Sequence, residues 1–195
     1  MYVCDFDQNG KDDQITTMSI DNKDYPIHDF DEITSQLPSI RSKVGLYNEY
    51  AAASIDDLFS EDILEQSIVY ELDELRSGIF INDKGRYSFK PFPPQVQSSS
   101  MHALAVTDIN NDGINDIIIG GNHFLYKPQF GRDDASRGWV LLGDYKNNEY
   151  TITKTRELGI RGEIRKIAPI GKNMYWIGVN NEPLRKYRID YGEYE

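Results

Sequence analysis

The segment that decides the fold is residues 106–121, which reads Val106-Thr-Asp-Ile-Asn-Asn-Asp-Gly-Ile-Asn-Asp-Ile-Ile-Ile-Gly-Gly121. Its centre, residues 108–116, fits the pattern D-x-[DN]-x-[DN]-G-x-x-D, and the β-branched run that follows favours a strand. The same pattern recurs at residues 5–13, between an apolar start and a second strand-like run. A motif that returns at a distance indicates a repeat architecture.

The spacing of this motif matches the needs of a calcium ion. Ca²⁺ takes six to eight oxygen ligands at about 2.3–2.6 Å, and a tight loop supplies them from alternate positions. Side-chain oxygens stand at the first, third, fifth and ninth positions, the seventh offers its backbone carbonyl, and the glycine permits a sharp turn. We therefore predict two Ca²⁺ sites. The predicted ligands are Asp5, Asp7, Asn9, Lys11 and Asp13 in the first loop, and Asp108, Asn110, Asp112, Ile114 and Asp116 in the second.

Other interpretations of the motif have different requirements. Zinc would need Cys or His ligands, which the loops lack, and magnesium prefers rigid octahedral sites that keep several waters. A helical calcium module needs Glu at position twelve and an exiting helix, but Thr16 and Ile119 stand there, followed by strand-like residues. A metal-free acidic turn, held by side-chain hydrogen bonds and glycine alone, is the alternative that stays open.

Hairpin signatures follow each loop, and three more strand-like segments follow the second hairpin. Repeated sets of about four strands are typical of propeller blades. We predict a mainly β fold, a partial β-propeller of about three antiparallel blades in a single domain that covers residues 1–195. The predicted first blade comprises residues 1–28 and 67–94, the second comprises 101–156, and the third, incomplete blade comprises 160–191.

Residues 29–66 have a different hydrophobic period. Apolar residues recur at steps of three and four, which predicts amphipathic helix. The stripe consists of Ile33, Leu37, Ile40, Val44, Tyr47 and Ala51. Pro38 suits the first position of a helix, residues 54–57 resemble a capping box, and Ser60 suits the start of another helix. We predict a helical insertion in the first blade, with its apolar stripe packed on that blade.

Composition narrows the range of partners. The 195 residues carry a formal net charge of −11, which disfavours nucleic acid and favours cations or basic protein surfaces. No apolar run is long enough to span a bilayer, so we expect a chain that is not membrane-spanning. The N-terminus has no basic region and no apolar run, so no signal peptide is visible; this favours the cytoplasm unless the chain continues a longer precursor.

The paired loops resemble FG-GAP, or VCBS-type, repeats, as in integrin α-chain propellers and many secreted bacterial proteins. Residues 30–43, 50–59, 132–136 and 140–144 also resemble the C-terminal part of bacterial VCBS-repeat proteins related to the ASPIC/UnbV group. This resemblance implies calcium binding and an extracellular, cell-surface or periplasmic location, with no catalytic role for this part. The third predicted blade departs from the family because it lacks the acidic loop.

We expect a calcium-stabilised propeller module that binds a protein or a glycan, and not an enzyme. The alternative is a fragment of a secreted polysaccharide-processing hydrolase or lyase. Three observations disfavour this alternative. The acidic residues of the chain are concentrated in the predicted metal loops, and the three histidines, His28, His102 and His123, are scattered in the sequence. No G-x-S-x-G or H-E-x-x-H motif occurs. We therefore predict no catalytic residue. Exposed edges of an incomplete propeller also favour a homo-oligomer.

Overall fold

A computed structural model describes residues 1–147 and 149–190 of the chain. The fold is mainly β, with several antiparallel sheets that are not closed, consistent with a partial propeller-like fold. The chain forms two compact units, unit 1 (Met1–Glu74) and unit 2 (Leu75–Glu195).

Unit 1 contains one small sheet and one separate hairpin. The antiparallel sheet has the order β2-β1-β5, with strands β1 (Tyr2–Cys4), β2 (Asp13–Ile15) and β5 (Ile68–Val69). The hairpin consists of β3 (Thr17–Ile20) and β4 (Lys23–Pro26). The first acidic loop therefore joins two paired neighbours, β1 and β2.

The predicted helical insertion is confirmed as a series of short helices. They are α1 (Phe30–Gln36), a 3-10 helix (Pro38–Ser42), α2 (Tyr47–Ala52), α3 (Ile55–Leu58) and α4 (Glu61–Gln66). Pro38 begins its helix and Ser60 caps α4, as predicted. The Asp57 carboxylate accepts the backbone N–H and the hydroxyl of Ser54 at 2.9 and 2.7 Å. These local bonds satisfy donors that a helix start leaves without a partner in the helix.

The core of unit 1 joins the helices to the first loop and its strands. Ile33, Leu37 and Ile40 are buried there, and the cluster also takes in Phe6 and Ile15. The predicted stripe is wrong at two positions, Tyr47 and Ala51, which are exposed. The helix is interrupted at Leu37, before Pro38, and again between Ser42 and α2, so the period restarts. The residues of this region that face the core are then Tyr50 and Ala53.

Unit 2 is built around a four-stranded antiparallel sheet with the order β11-β10-β9-β8. Its strands are β8 (Met101–Thr107), β9 (Asp116–Gly121), β10 (Trp139–Lys146) and β11 (Glu149–Glu157). One face packs on a three-stranded sheet, β12 (Ile164–Gly171), β13 (Met174–Val179) and β14 (Arg185–Arg188). The other face contacts Phe92 and Val96 and the hairpin of β6 (Gly78–Asp83) and β7 (Arg86–Pro91). A 3-10 helix (Pro94–Ser98) follows that hairpin, and a second one (Pro128–Phe130) lies between β9 and β10.

These sheets agree with two of the three predicted strand sets. The second set forms one four-stranded sheet, and the third forms three strands; its last predicted residue, 191, lies outside the described residues. The first set differs, because β1, β2 and β5 pair in unit 1 whereas β6 and β7 form a hairpin in unit 2. The helices account for this difference, since they build their own core with Phe6 and Ile15.

Candidate metal-binding loops

The two acidic loops have almost the same backbone. Each follows a strand and leads into its antiparallel neighbour, β1 to β2 and β8 to β9. The fourth positions, Gln8 and Asn111, have φ angles of 60° and 63°, and the glycines, Gly10 and Gly113, have 85° and 86°. The left-handed φ explains why glycine occupies the sixth position in both loops.

In the first loop, backbone amides fix the orientation of the leading carboxylate. Asp5 Oδ1 accepts the N–H of Asn9 at 2.9 Å, and Asp5 Oδ2 accepts the N–H of Gly10 at 2.7 Å. Asn9 Oδ1 in turn accepts the N–H of Lys11 at 2.9 Å. A carboxylate has about four acceptor sites, so these bonds leave oxygen lone pairs for a further ligand.

The first loop also brings three carboxylates together. Asp5, Asp7 and Asp13 each offer an oxygen, and these oxygens all lie within 4.8 Å of one another. Over residues 1–147 and 149–190, this is the one group of three or more acidic, His or Cys side chains with that property. Like charges at this separation repel, so a cation between them would lower the energy of the loop.

Asp13 shows a second feature that suits a cation. Its Oδ1 accepts a hydrogen bond from Gln36 Nε2 at 3.1 Å, whereas its Oδ2 is buried without a hydrogen-bond partner. A buried acceptor without a partner costs roughly 1–3 kcal/mol, and more when it is charged. The donor set of the first loop therefore fits a hard divalent ion.

The second loop repeats the leading bonds of the first. Asp108 accepts the N–H groups of Asp112 and Gly113 at 3.1 and 2.9 Å. Asn110 Nδ2 donates to Asp112 Oδ2 at 2.7 Å, and Asp112 Oδ1 accepts the N–H of Ile114 at 2.7 Å. Eight of the ten predicted ligands thus lie in the two loops, and Asp13 and Asp116 are the first residues of β2 and β9. The second loop does not gather its three carboxylates into a group like that of the first.

The closing aspartate of the second loop has different partners from that of the first. Asp116 is fully buried, and its two oxygens accept the N–H groups of Ile109 at 2.8 Å and Gly143 at 2.9 Å. Burial raises the pKa of this carboxyl, and the two backbone bonds oppose that rise. Asp116 therefore ties the loop to β10, a contact between distant residues that the motif does not reveal.

The structure also brings together side chains that the sequence keeps apart. The rings of His102 and His123, described above as scattered, lie 5.9 Å apart between centroids. Ser100 Oγ lies 3.1 Å from His102 Nε2 and donates to Asp133 Oδ2 at 2.5 Å. A catalytic triad needs the carboxylate on the histidine, whereas here the serine stands between them. This arrangement therefore differs from that of a catalytic triad.

Comparison with known proteins assigns one part of the chain. Residues 102–141 match the FG-GAP repeat, which covers β8, the second loop, β9 and the start of β10. FG-GAP repeats suggest a β-propeller-type module involved in interaction, and they are typical of extracellular or surface proteins. Neither a curated protein nor a solved structure matches the chain significantly. In the described part of the chain, no helix has the length and apolar character needed to cross a membrane.

Proposed function

We propose that this chain is a calcium-stabilised propeller-type module that binds a protein or a glycan, and that it has no catalytic activity of its own. We also propose that it is an exported protein related to the bacterial VCBS-repeat proteins of the ASPIC/UnbV group. The observation that carries the metal assignment is the group of carboxylates from Asp5, Asp7 and Asp13. Its support is the FG-GAP match on the second loop, which has the same backbone.

The first loop is the stronger of the two sites in this proposal. Asp5, Asp7 and Asp13 would supply carboxylate oxygens, Asn9 its amide oxygen and Lys11 its backbone carbonyl. The bound ion supplies positive charge that cancels the repulsion among the carboxylates. The amides of the loop keep Asp5 oriented before the ion arrives, which reduces the entropy lost on binding.

The second loop holds its ion less tightly. Asp108, Asn110 and Asp112 would supply side-chain oxygens, and Ile114 its carbonyl. Asp116 is fully buried and uses both oxygens to accept N–H groups, whereas Asp13 keeps one oxygen without a partner, so Asp116 has fewer lone pairs to offer than Asp13. Calcium affinity depends on the number of charged ligands, and we therefore expect a weaker site here.

In this proposal, calcium stabilises the folded state of the chain. The unfolded chain cannot hold five donors in one place, so the ion binds the folded state and stabilises it by about 2.7 kcal/mol at a concentration of 100 Kd. The FG-GAP repeat, residues 102–141, then presents a rigid surface to a partner. No proton transfer or bond cleavage is assigned to any residue.

The test is the melting temperature in EDTA, in calcium and in magnesium, together with elemental analysis of the purified chain. We expect calcium to raise the melting temperature by about 5 °C or more, and magnesium to raise it less. Asp13→Asn should remove most of the calcium effect. Asp12→Asn is the matched control, because it makes the same charge change in the same loop at a position that supplies no ligand.

An equal melting temperature in EDTA and calcium, with no metal in the purified chain, would contradict the proposal. An equal loss of the calcium effect in Asp12→Asn and Asp13→Asn would also contradict it. That result would mean that the general acidity of the chain attracts calcium, and not a defined set of ligands.

A further inference from the structure

A cavity of about 470 Å³ lies in unit 2, at the end of the four-stranded sheet opposite the second acidic loop. The long loop between β9 and β10 supplies one wall, and the loop between β11 and β12 supplies another. Three arginines line it, Arg132, Arg137 and Arg161. Neither the FG-GAP match nor the metal-loop motif assigns a role to these three side chains.

The charge of this cavity is opposite to that of the chain. Two acidic residues, Asp134 and Glu182, also line it, but Glu182 Oε2 already lies 3.0 Å from Arg185 Nη2. Among the residues that the structure describes, Arg161 has no ion-pair partner. Arg132 and Arg137 form long, exposed ion pairs, each at 3.9 Å, with Asp134 and Glu157. The cavity therefore attracts an anion, although the chain has a net charge of −11.

One arginine is held in place before any ligand binds. The guanidinium carbon of Arg132 lies 3.7 Å from the centroid of the Phe124 ring, a cation–π contact. The backbone N–H of Phe124 donates to the buried Glu163 Oε1 at 3.0 Å. Glu163 is fixed in turn by Asn180 Nδ2 at 2.8 Å. A planar guanidinium that is fixed in this way suits a carboxylate, which it binds with two parallel hydrogen bonds.

An aromatic depression adjoins the arginine cavity. It has a volume of about 400 Å³, shares Arg132 with the cavity, and is lined by Tyr126 and Phe130. As whole residues, Tyr126 and Phe130 are 45% and 58% exposed. The negative faces of aromatic rings attract polarised C–H groups, and the pyranose ring of a sugar presents a face of such groups.

We infer that the cavity and the depression together bind an acidic sugar, a uronate residue of a glycan. The carboxylate lies on Arg161 and Arg132, and the sugar ring lies against Tyr126 and Phe130. A peptide strand would need free backbone groups to pair with. Here the backbones of His123 and Asp133 already form hydrogen bonds with each other at 2.8 and 3.1 Å, so a peptide fits this site less well. This inference rests on the proposed interaction function and names the class of its ligand.

The experiment is calorimetric titration of the full chain with a galacturonate trimer, a neutral galactose trimer and a hexaglutamate peptide. Each titration is run in EDTA and again in calcium, and the melting temperature is recorded for the same samples. We expect saturable binding of the galacturonate trimer alone. Arg161→Gln should weaken it about tenfold or more, because one charge-assisted pair is lost. Arg86→Gln, on the β6–β7 hairpin, is the matched control and should bind as the parent does.

Two further variants separate binding from folding. Phe130→Ala removes an exposed ring and should weaken the galacturonate trimer without lowering the melting temperature. Arg132→Gln should weaken it as well. The inference would be overturned if the galacturonate trimer did not bind, or if Arg161→Gln bound it as tightly as the parent chain. If hexaglutamate bound as tightly as the galacturonate trimer, the cavity would be reassigned to an acidic peptide. The effect of calcium on the melting temperature is measured separately in the same samples. A failure of the galacturonate trimer to bind would therefore not decide the proposal that the loops bind calcium.

Discussion

The two acidic loops share a motif and a backbone, yet they use their closing aspartates in different ways. In the first loop, Asp13 joins a group of three carboxylates and keeps one buried oxygen without a partner. In the second, Asp116 accepts two backbone N–H groups and fastens the loop to β10. The difference arises from the neighbouring structure, because the second loop lies beside a strand that offers a buried N–H.

One motif can thus place its closing aspartate in a group of carboxylates or use it for internal support. The FG-GAP match falls on the second loop, where the structural role of the closing aspartate is stronger. The carboxylate group falls on the first loop, which lies outside that match. The family match therefore falls on one loop, and the carboxylate geometry that suits a cation falls on the other.

The largest effect is expected from Asp116→Ala. The change leaves two buried N–H groups without acceptors, which should reduce the free energy of unfolding by roughly 4 kcal/mol, at about 1–3 kcal/mol for each group. The loss should be present in EDTA, because these bonds form without metal. Chemical denaturation in EDTA measures it.

Asp13→Ala is the counterpart in the first loop. In EDTA it should change the free energy of unfolding by less than about 1 kcal/mol, because it also removes a charge that repels Asp5 and Asp7. Equal losses for Asp116→Ala and Asp13→Ala would remove the distinction between the loops.

A smaller effect is expected from Gly143→Ala. A methyl group there would overlap the carbonyl oxygen of Asn115 and lie 2.6 Å from the Tyr150 ring. Overpacking of this kind costs about 1–3 kcal/mol, and here it also separates β10 from Asp116. Thermal denaturation should show the loss, and Gly171→Ala is a control with open space around the new methyl group. A tolerated Gly143→Ala would mean that the close approach of the second loop to β10 is not needed.

The last pair of variants is Gly10→Ala and Gly113→Ala, for which the difference between the two loops should be the smallest. Both glycines have a left-handed φ and no atom within 4 Å of a new methyl group, so only backbone strain changes. Each substitution should cost about 1–2 kcal/mol in EDTA, and the two costs should agree. Clearly unequal costs, measured by urea denaturation, would show that the loops do not share one backbone.

Much of this organisation is predictable from the chain alone, because it depends on local spacing. The loop positions, the strands beside them and the helical region follow from motif and periodicity. The stripe fails at Tyr47 and Ala51 because breaks between short helices restart the period. The bond from Asp116 to Gly143 joins residues whose distance in sequence gives no local signal.

The arginine cavity was also not predictable, for a related reason. Arg132, Arg137 and Arg161 each look like an ordinary solvated charge in the sequence, and only the packing of two loops brings them together. The same is true of His102 and His123, which neighbouring strand ends and loops place side by side. Long-range placement of this kind depends on the sheet topology.

The most direct test of the metal assignment is a calcium titration of the EDTA-treated chain followed by the backbone amide signals of Gly10 and Gly113. Both amides donate to the leading aspartate of their loop, so each reports on its own site. We expect both signals to shift and the Gly10 signal to saturate at the lower calcium concentration. Two signals that stay unchanged in millimolar calcium would contradict it.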